Sequence, residues 1–187
     1  MKAEGPRVTG GTAKGAKLFS VPGLDVRPAL ARMRISLFEI LRARLIDARV
    51  ADLFAGTGCL GLEALSRGAA RAVFYDVDPR CLEAIQRNLV KLRFTDRGEL
   101  RSGDAFAAAA GLEPMDVVFV DPPYPFYKDR AAELRRLVET CVARLADGGT
   151  AVVEHRPKGG LGEVAGAEIL DERVYGGTVV TLYGKAQ

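Results

Sequence analysis

A chain of 187 residues, 48% of them hydrophobic, suits one domain with a full core and leaves little room for a second. A single histidine, His155, excludes a Ser-His-Asp triad and a histidine-based metal site, while Cys59, Cys81 and Cys141 lack a CxxC pair and read as packing residues of a reduced protein. The net charge of +3 divides unevenly, since residues 1–49 carry ten Lys/Arg against four Asp/Glu (+6) and residues 50–187 carry seventeen against twenty (−3), which suggests a polyanionic partner approached from one side.

At the N-terminus, Met1 to Pro6 has no hydrophobic signal region, and no apolar run reaches the roughly 18 residues of a membrane span, so a cytoplasmic protein is expected. The Gly- and Lys-rich stretch from Arg7 to Leu18 predicts a small hairpin or extended arm. Leu30, Met33, Leu37, Leu41 and Leu45 mark one helix, with Arg32, Arg34, Arg42 and Arg44 on its other sides. From residue 49 onward, apolar strands alternate with helical patterns. Strands are predicted at Val50–Phe54, Ala72–Tyr75, more weakly at Glu99–Ser102, then at Met115–Val120 and Thr150–Val153. Helices are predicted from Leu60, from Pro79 with Leu82, Ile85, Leu89 and Leu92 on one face, and across Leu134 to Leu145, ending at Gly148-Gly149. Such alternation implies a parallel sheet covered on both faces. Glu172–Tyr175 and Val179–Tyr183 flank Gly176-Gly177-Thr178 and read as an antiparallel hairpin that closes the chain. The expected division is a basic arm or hairpin over residues 1–29 and a single domain over residues 30–187.

Four sites fall at the carboxyl ends of strands, where open α/β sheets bind ligands. Gly56-Thr57-Gly58-Cys59-Leu60-Gly61 follows the first strand and opens a helix, a turn that allows close backbone approach and offers N–H groups to a ligand. Asp76 ends the next strand, where a carboxylate can hold ribose hydroxyls. These two sites alone fit a dinucleotide as well as they fit S-adenosylmethionine. Three further features favour the latter. Asp52 can receive the ammonium of a bound amino acid, Gly103-Asp104-Ala105 ends the third strand where an adenine edge would lie, and Asp121-Pro122-Pro123-Tyr124 ends the fourth. In that last motif two prolines stop the strand and remove two N–H donors, so an acid, a rigid carbonyl and an aromatic face stand together as a receiver for a planar amino group.

Asp52 to Gly61, Asp76, Gly103 to Ala105 and Asp121 to Tyr124 resemble the motifs of class I S-adenosylmethionine-dependent methyltransferases. More narrowly, Arg7-Val8-Thr9-Gly10-Gly11, Lys14 to Leu18, Arg27-Pro28, Leu37-Phe38, Asp52 to Gly58, Gly61 to Ala69 and Val174-Tyr175-Gly176 resemble the bacterial RsmD-type 16S rRNA guanine-N2 methyltransferases. The resemblance covers nearly the whole chain. It implies a doubly wound, Rossmann-like, mostly parallel seven-stranded sheet ending in an antiparallel hairpin. It also implies methyl transfer from S-adenosylmethionine to a guanine N2 in small-subunit rRNA. The chain departs from the family's Arg-Pro-Thr-x-Asp-Arg-x-Arg-Glu pattern at Ala29, Ala31 and Ile35.

The catalytic residues expected on this basis are Asp121, Pro122, Pro123 and Tyr124. The expected cofactor residues are Asp52, Ala55, Gly56, Thr57, Gly58, Asp76, Val77, Asp104 and Ala105. Arg7, Lys14, Lys17, Arg27, Arg32 and Arg34 are candidates for phosphate contacts, which position RNA without reading its sequence. The expected partner is ribosomal RNA or a small-subunit assembly particle, with no membrane, no metal and a monomeric protein. Adenine-N6 or cytosine-N4 methylation would use the same receiver for an amino group, and a silent RNA-binding module would need none. A nicotinamide-dependent oxidoreductase would leave Asp121 to Tyr124 idle.

Overall fold

The computed structural model describes residues 5–21, 28–157 and 161–186. Its centre is a seven-stranded sheet in the order β3-β2-β1-β4-β5-β7-β6. The strands are β1 (Arg49–Asp52), β2 (Arg71–Asp76), β3 (Gly98–Ser102), β4 (Met115–Val120), β5 (Leu145–His155), β6 (Ala167–Tyr175) and β7 (Thr178–Lys185). β1 to β5 run parallel, and β7 pairs antiparallel with both β5 and β6. The parallel sheet and closing hairpin expected from the alternation of apolar runs are both present.

Helices cover both faces, as parallel strands buried on two sides require. On one face lie α1 (Pro28–Ile40), α2 (Cys59–Ser66) and α3 (Pro79–Leu92). Phe38, Leu41, Leu62, Leu65, Ile85 and Leu89 from this layer meet Val50, Phe74, Phe119 and Val180 of the sheet. On the other lie the short α4 (Ala105–Ala108), α5 (Phe126–Asp129) and α6 (Ala131–Ala143), where Leu134, Leu137, Val138 and Val142 pack on Leu53, Val118, Val120 and Val153. Gly61 is required by this packing, because a Cβ there would lie 2.2 Å from the Phe74 ring.

Two sequence expectations are corrected. The helix marked by Leu30 to Leu45 stops at Ile40, and a 3-10 turn at Arg42–Arg44 carries the chain to β1. Leu41 and Leu45 remain fully buried, so the apolar spacing reported burial beyond the end of the helix. The last helix ends at Ala143, with Arg144 as its C-cap, and not at Gly148-Gly149. Leu145 already pairs with Met115, and the register slips before Val117 meets Thr150. The glycine pair therefore lies in an irregularity of β5.

Residues 7–18 form the expected hairpin through an antiparallel bridge between Arg7 and Lys17. It is fastened to α2 by Glu63, which is fully buried. The Glu63 carboxylate accepts the Thr9 N–H and hydroxyl, each at 2.7 Å, and the Arg67 Nε–H at 2.8 Å. The Ser66 hydroxyl donates to the Gly10 carbonyl at 2.6 Å and accepts the Ala13 N–H at 2.9 Å.

Candidate active site

The parallel strands end on one edge of the sheet, and their register explains which side chains meet there. Asp52 closes β1 opposite Phe119 of β4, and Val120 of β4 lies opposite Val153 of β5. One residue further, Asp121 and Glu154 are neighbours on adjacent strands. Side chains alternate along a strand, so both share the sheet face of Phe119 and Val152, the face covered by α1 and α2. Three acids of three adjacent strands thus gather on one side of the sheet.

Burial and neighbouring charge raise the proton affinity of Asp52 and Asp121. Burial pushes the Asp52 carboxyl up to about 7, against the Gly61 N–H that it accepts at 3.1 Å, and the charge of Asp76 adds to the rise. Asp121 rises well above the ordinary carboxylate range through burial first, then through Glu154 and Asp52. Glu154 is 7% exposed and accepts the Tyr124 hydroxyl at 3.3 Å. That hydroxyl also lies 3.1 Å from the Thr178 hydroxyl, and the Tyr127 hydroxyl donates to the Glu154 carbonyl at 2.7 Å. The sequence reading missed Glu154. The available signal was an acid ending the apolar run Ala151-Val152-Val153, level with Asp121 on the neighbouring strand.

The two prolines behave differently. The Pro123 carbonyl accepts the Phe126 N–H at 2.9 Å and starts the turn into α5. Among the described residues no backbone N–H donates to the Pro122 carbonyl. Pro122, expected as a rigid acceptor, keeps that capacity, whereas Pro123 has spent its carbonyl on the turn. Tyr124 is half-buried, with the Arg156 guanidinium 4.4 Å from its ring centroid, so one ring face is covered by a cation.

The glycine turn leads into α2 with Gly58 as its N-cap at φ 76°, a left-handed conformation that disfavours side chains. Ala55 is buried, and the Thr57 hydroxyl sits 2.9 Å from the Cys59 sulfur. Asp76 accepts the Gly56 N–H at 2.7 Å and the Asp78 N–H at 2.8 Å, so the end of β2 holds the turn in place. Asn88 of α3 was also missed by the sequence reading. Fully buried, it accepts the Phe19 N–H at 2.7 Å and donates to the Phe19 carbonyl and, at 3.4 Å, to the Thr57 carbonyl. Val77 is 70% exposed beside Asp76. Asp104 caps α4 through the Phe106 N–H at 3.0 Å, and Ala105 is buried behind it. Phe54, Phe106 and Phe126 form a cluster with centroids 6.0–6.4 Å apart, and Arg130 lies 3.9 Å over Phe106.

Among the basic candidates, Arg7, Lys14 and Arg32 are exposed and Lys17 is half-exposed. Arg27 lies outside the described residues. Arg34 is a correction: at 5% exposure its guanidinium is inside the protein and out of reach of a surface phosphate. Among the described residues no helix is long and apolar enough to cross a membrane, and no cluster of His, Cys, Asp and Glu could hold a metal.

Residues 6–184 match the family model described as Conserved hypothetical protein 95. The chain is 35% identical over 178 residues to the ribosomal RNA small subunit methyltransferase D of Escherichia coli K12, covering 95% of this chain and 88% of that one. It is 34% identical over 184 residues to YlbH of Bacillus subtilis, covering 96% and 98%. The solved structure of Escherichia coli yhhF superposes with a TM-score of 0.83 at 34% identity, covering 96% of this chain and 97% of that one.

The group implied by this fold, S-adenosylmethionine, matches the donors present. Buried and half-buried carboxylates suit an ammonium and ribose hydroxyls. The buried Arg34 Nη1, which has no partner among the described residues, suits a carboxylate. With 179 of its residues under one family model and its strand ends so equipped, the chain belongs to the Conserved hypothetical protein 95 family and is an S-adenosylmethionine-dependent methyltransferase of the class I fold.

Proposed function

We propose that the chain methylates the exocyclic N2 of a guanine in small-subunit ribosomal RNA. The observation that carries the choice of base is the pair Asp121 and Glu154, two carboxylates on adjacent strand ends. The Watson–Crick edge of guanine presents two neighbouring donors, N1–H and the N2 amino group. Adenine and cytosine place an acceptor nitrogen beside their amino group, and a carboxylate facing it would repel its lone pair. A paired acceptor site therefore favours guanine. The ribosomal RNA part of the reading is supported by the family, since the Escherichia coli K12 relative is named for that substrate.

The N2 lone pair is delocalised into the ring and must be localised before it can attack. In this reading Asp121 and the Pro122 carbonyl accept the two amino hydrogens, draw the nitrogen toward tetrahedral geometry and aim its lone pair. Orientation of this kind can supply up to roughly 7–11 kcal/mol. S-adenosylmethionine supplies the electrophilic methyl carbon and takes the electron pair of the broken C–S bond on its sulfur. Asp121 then accepts the proton that the methylated nitrogen sheds, a role that its raised proton affinity suits. Glu154 receives N1–H, and Tyr124 stacks on the base, worth about 1–3 kcal/mol. The base must leave its stack to reach this edge of the sheet.

Asp52 would hold the ammonium of the methyl donor, Asp76 its ribose, and Val77, Asp104 and Ala105 would frame its adenine. The basic segment 1–29, with Arg7, Lys14, Lys17 and also Arg32, would meet RNA phosphates. The test is methylation of rRNA from cells lacking the protein, followed by mass mapping of the labelled nucleotide. N2-methylguanine is expected; a label on adenine N6 or cytosine N4, or no label, would refute the reading.

A further inference from the structure

The segment that leaves the N-terminal hairpin lies along α3 and carries an aromatic ring among cations. Lys91 Nζ, near the end of α3, donates to the Lys17 carbonyl at 2.6 Å. Nearer the start of the helix, Asn88 accepts the Phe19 N–H and donates to the Phe19 carbonyl, and Val21 packs on Cys81 and Ala84. The chain from Lys17 to Val21 therefore runs antiparallel to α3. It heads toward Pro79, where α3 begins just after Asp76 closes β2, and so toward the edge of the sheet that holds the strand-end motifs.

Phe19 is 37% exposed, whereas Leu18 and Val21 are buried. The Arg87 guanidinium carbon lies 4.0 Å from the Phe19 ring centroid and Lys91 Nζ lies 5.0 Å from it. Asn88 already holds the main chain of Phe19 at both its N–H and its carbonyl, and Leu18 and Val21 anchor the segment in the core. The ring is not needed to fasten it. Among the described residues neither Arg87 nor Lys91 forms an ion pair with a carboxylate, so both charges remain for an anion outside the protein. Arg7 adds to them, because it faces Lys17 across the antiparallel bridge and such partners share one side of the ribbon.

Cations alone would suit any polyanion. The exposed ring beside a guanidinium narrows the choice, since unpaired bases stack on aromatic rings and on guanidinium planes, with a phosphate on either side of each base. A base within a duplex has both faces covered by its neighbours and offers none to such a platform. We propose that Phe19 and Arg87 seat one unpaired base of the RNA outside the strand-end site, with Lys91 neutralising a phosphate beside it. The proposal rests on the reading of the substrate as RNA. It adds a contact that depends on the base, which the basic hairpin by itself does not supply.

Fluorescence anisotropy with two probes tests it. One is a short oligoadenylate; the other is its base-free analogue, the same phosphate chain with tetrahydrofuran in place of each nucleoside. The wild-type protein should prefer oligoadenylate. Phe19→Leu, which keeps an apolar side chain and removes the ring, should weaken oligoadenylate binding by roughly 5–150-fold, the worth of one stacked base, and leave the base-free chain bound as before. Phe19→Tyr should restore the preference, and S-adenosylhomocysteine affinity should be the same in all three proteins. Lys91→Gln should lower the slope of log affinity against log salt by about 0.7 for both probes; an unaltered slope overturns the phosphate contact. Equal affinity of the wild-type protein for the two probes overturns the seat, as does a base preference that survives in Phe19→Leu. Equal weakening of both probes in Phe19→Leu also overturns it, as loss of a structural residue. Failure of the substrate reading shows separately: a wild-type protein whose base preference is lost in Phe19→Leu, but which labels no rRNA, retains the seat and loses that substrate.

Discussion

At the level of single residues, Asp121 carries the strongest expectation. Asp121→Ala should lower turnover on the order of 10²–10⁴-fold while leaving S-adenosylhomocysteine affinity nearly unchanged, because in the proposed mechanism the residue acts on the amino group and not on the cofactor. Its pH dependence has a definite sign. A carboxyl raised above its ordinary range is protonated at higher pH, so kcat/KM should fall as pH drops through that raised value. Glu154 is one source of the rise, so Glu154→Gln should move the acidic limb to lower pH. The same variant should lower kcat/KM by roughly 10–100-fold, as expected for one hydrogen bond to a charged group. An acidic limb that stays in place in Glu154→Gln would separate the two acids. Asp52 gives a stability test. Its folded value of about 7 exceeds the ordinary 3.8, so the folded state binds the proton more tightly and stability declines as pH rises through that window. Asp52→Asn should therefore raise the unfolding free energy at pH 8, by no more than about 4 kcal/mol at 1.36 kcal/mol per unit, and weaken cofactor binding. Chemical denaturation at pH 5 and pH 8 checks both the sign and the window.

Among the elements, the N-terminal hairpin is held by one buried acid. Glu63→Ala would leave the Thr9 N–H and the Arg67 guanidinium without the carboxylate they share, at a cost of about 3–5 kcal/mol. Limited proteolysis should then cut within residues 7–18 before the remainder of the domain. The elements themselves were legible where periodicity was strong, as in α3 and β4. They were misread where burial and helicity part company. Leu41 and Leu45 keep helical spacing because both face the core, yet the chain there turns to enter β1. Gly148-Gly149 looked like a helix end because glycine serves both as a C-cap and in an irregular strand, and only the pairing of Leu145 with Met115 decides between them.

For the whole molecule, the +6 of residues 1–49 is concentrated on the hairpin, α1 and the turn after it. A double variant Lys14→Ala, Arg32→Ala should weaken RNA binding uniformly across sequences. It should also reduce the slope of log affinity against log salt by about 0.7 for each phosphate that is no longer neutralised, with cofactor affinity unchanged. An unaltered slope would place the RNA on another face. Asn88 ties the hairpin's trailing segment to the glycine turn, so the proposed RNA-binding and cofactor-binding segments share one buried amide.

The sequence by itself determined the parallel sheet, the closing hairpin and the four strand-end motifs, because alternating apolar runs and glycine or proline punctuation are local properties of the chain. Only the tertiary structure decided what stands beside them. Glu154 joins Asp121 through strand register, a relation between segments some thirty residues apart. Arg34 passes from an expected surface cation to a buried one because the fold sets it against the N-terminal hairpin, where its Nη2 donates to the Arg7 carbonyl. Charge can be counted along a sequence, but its burial depends on what the fold places over it.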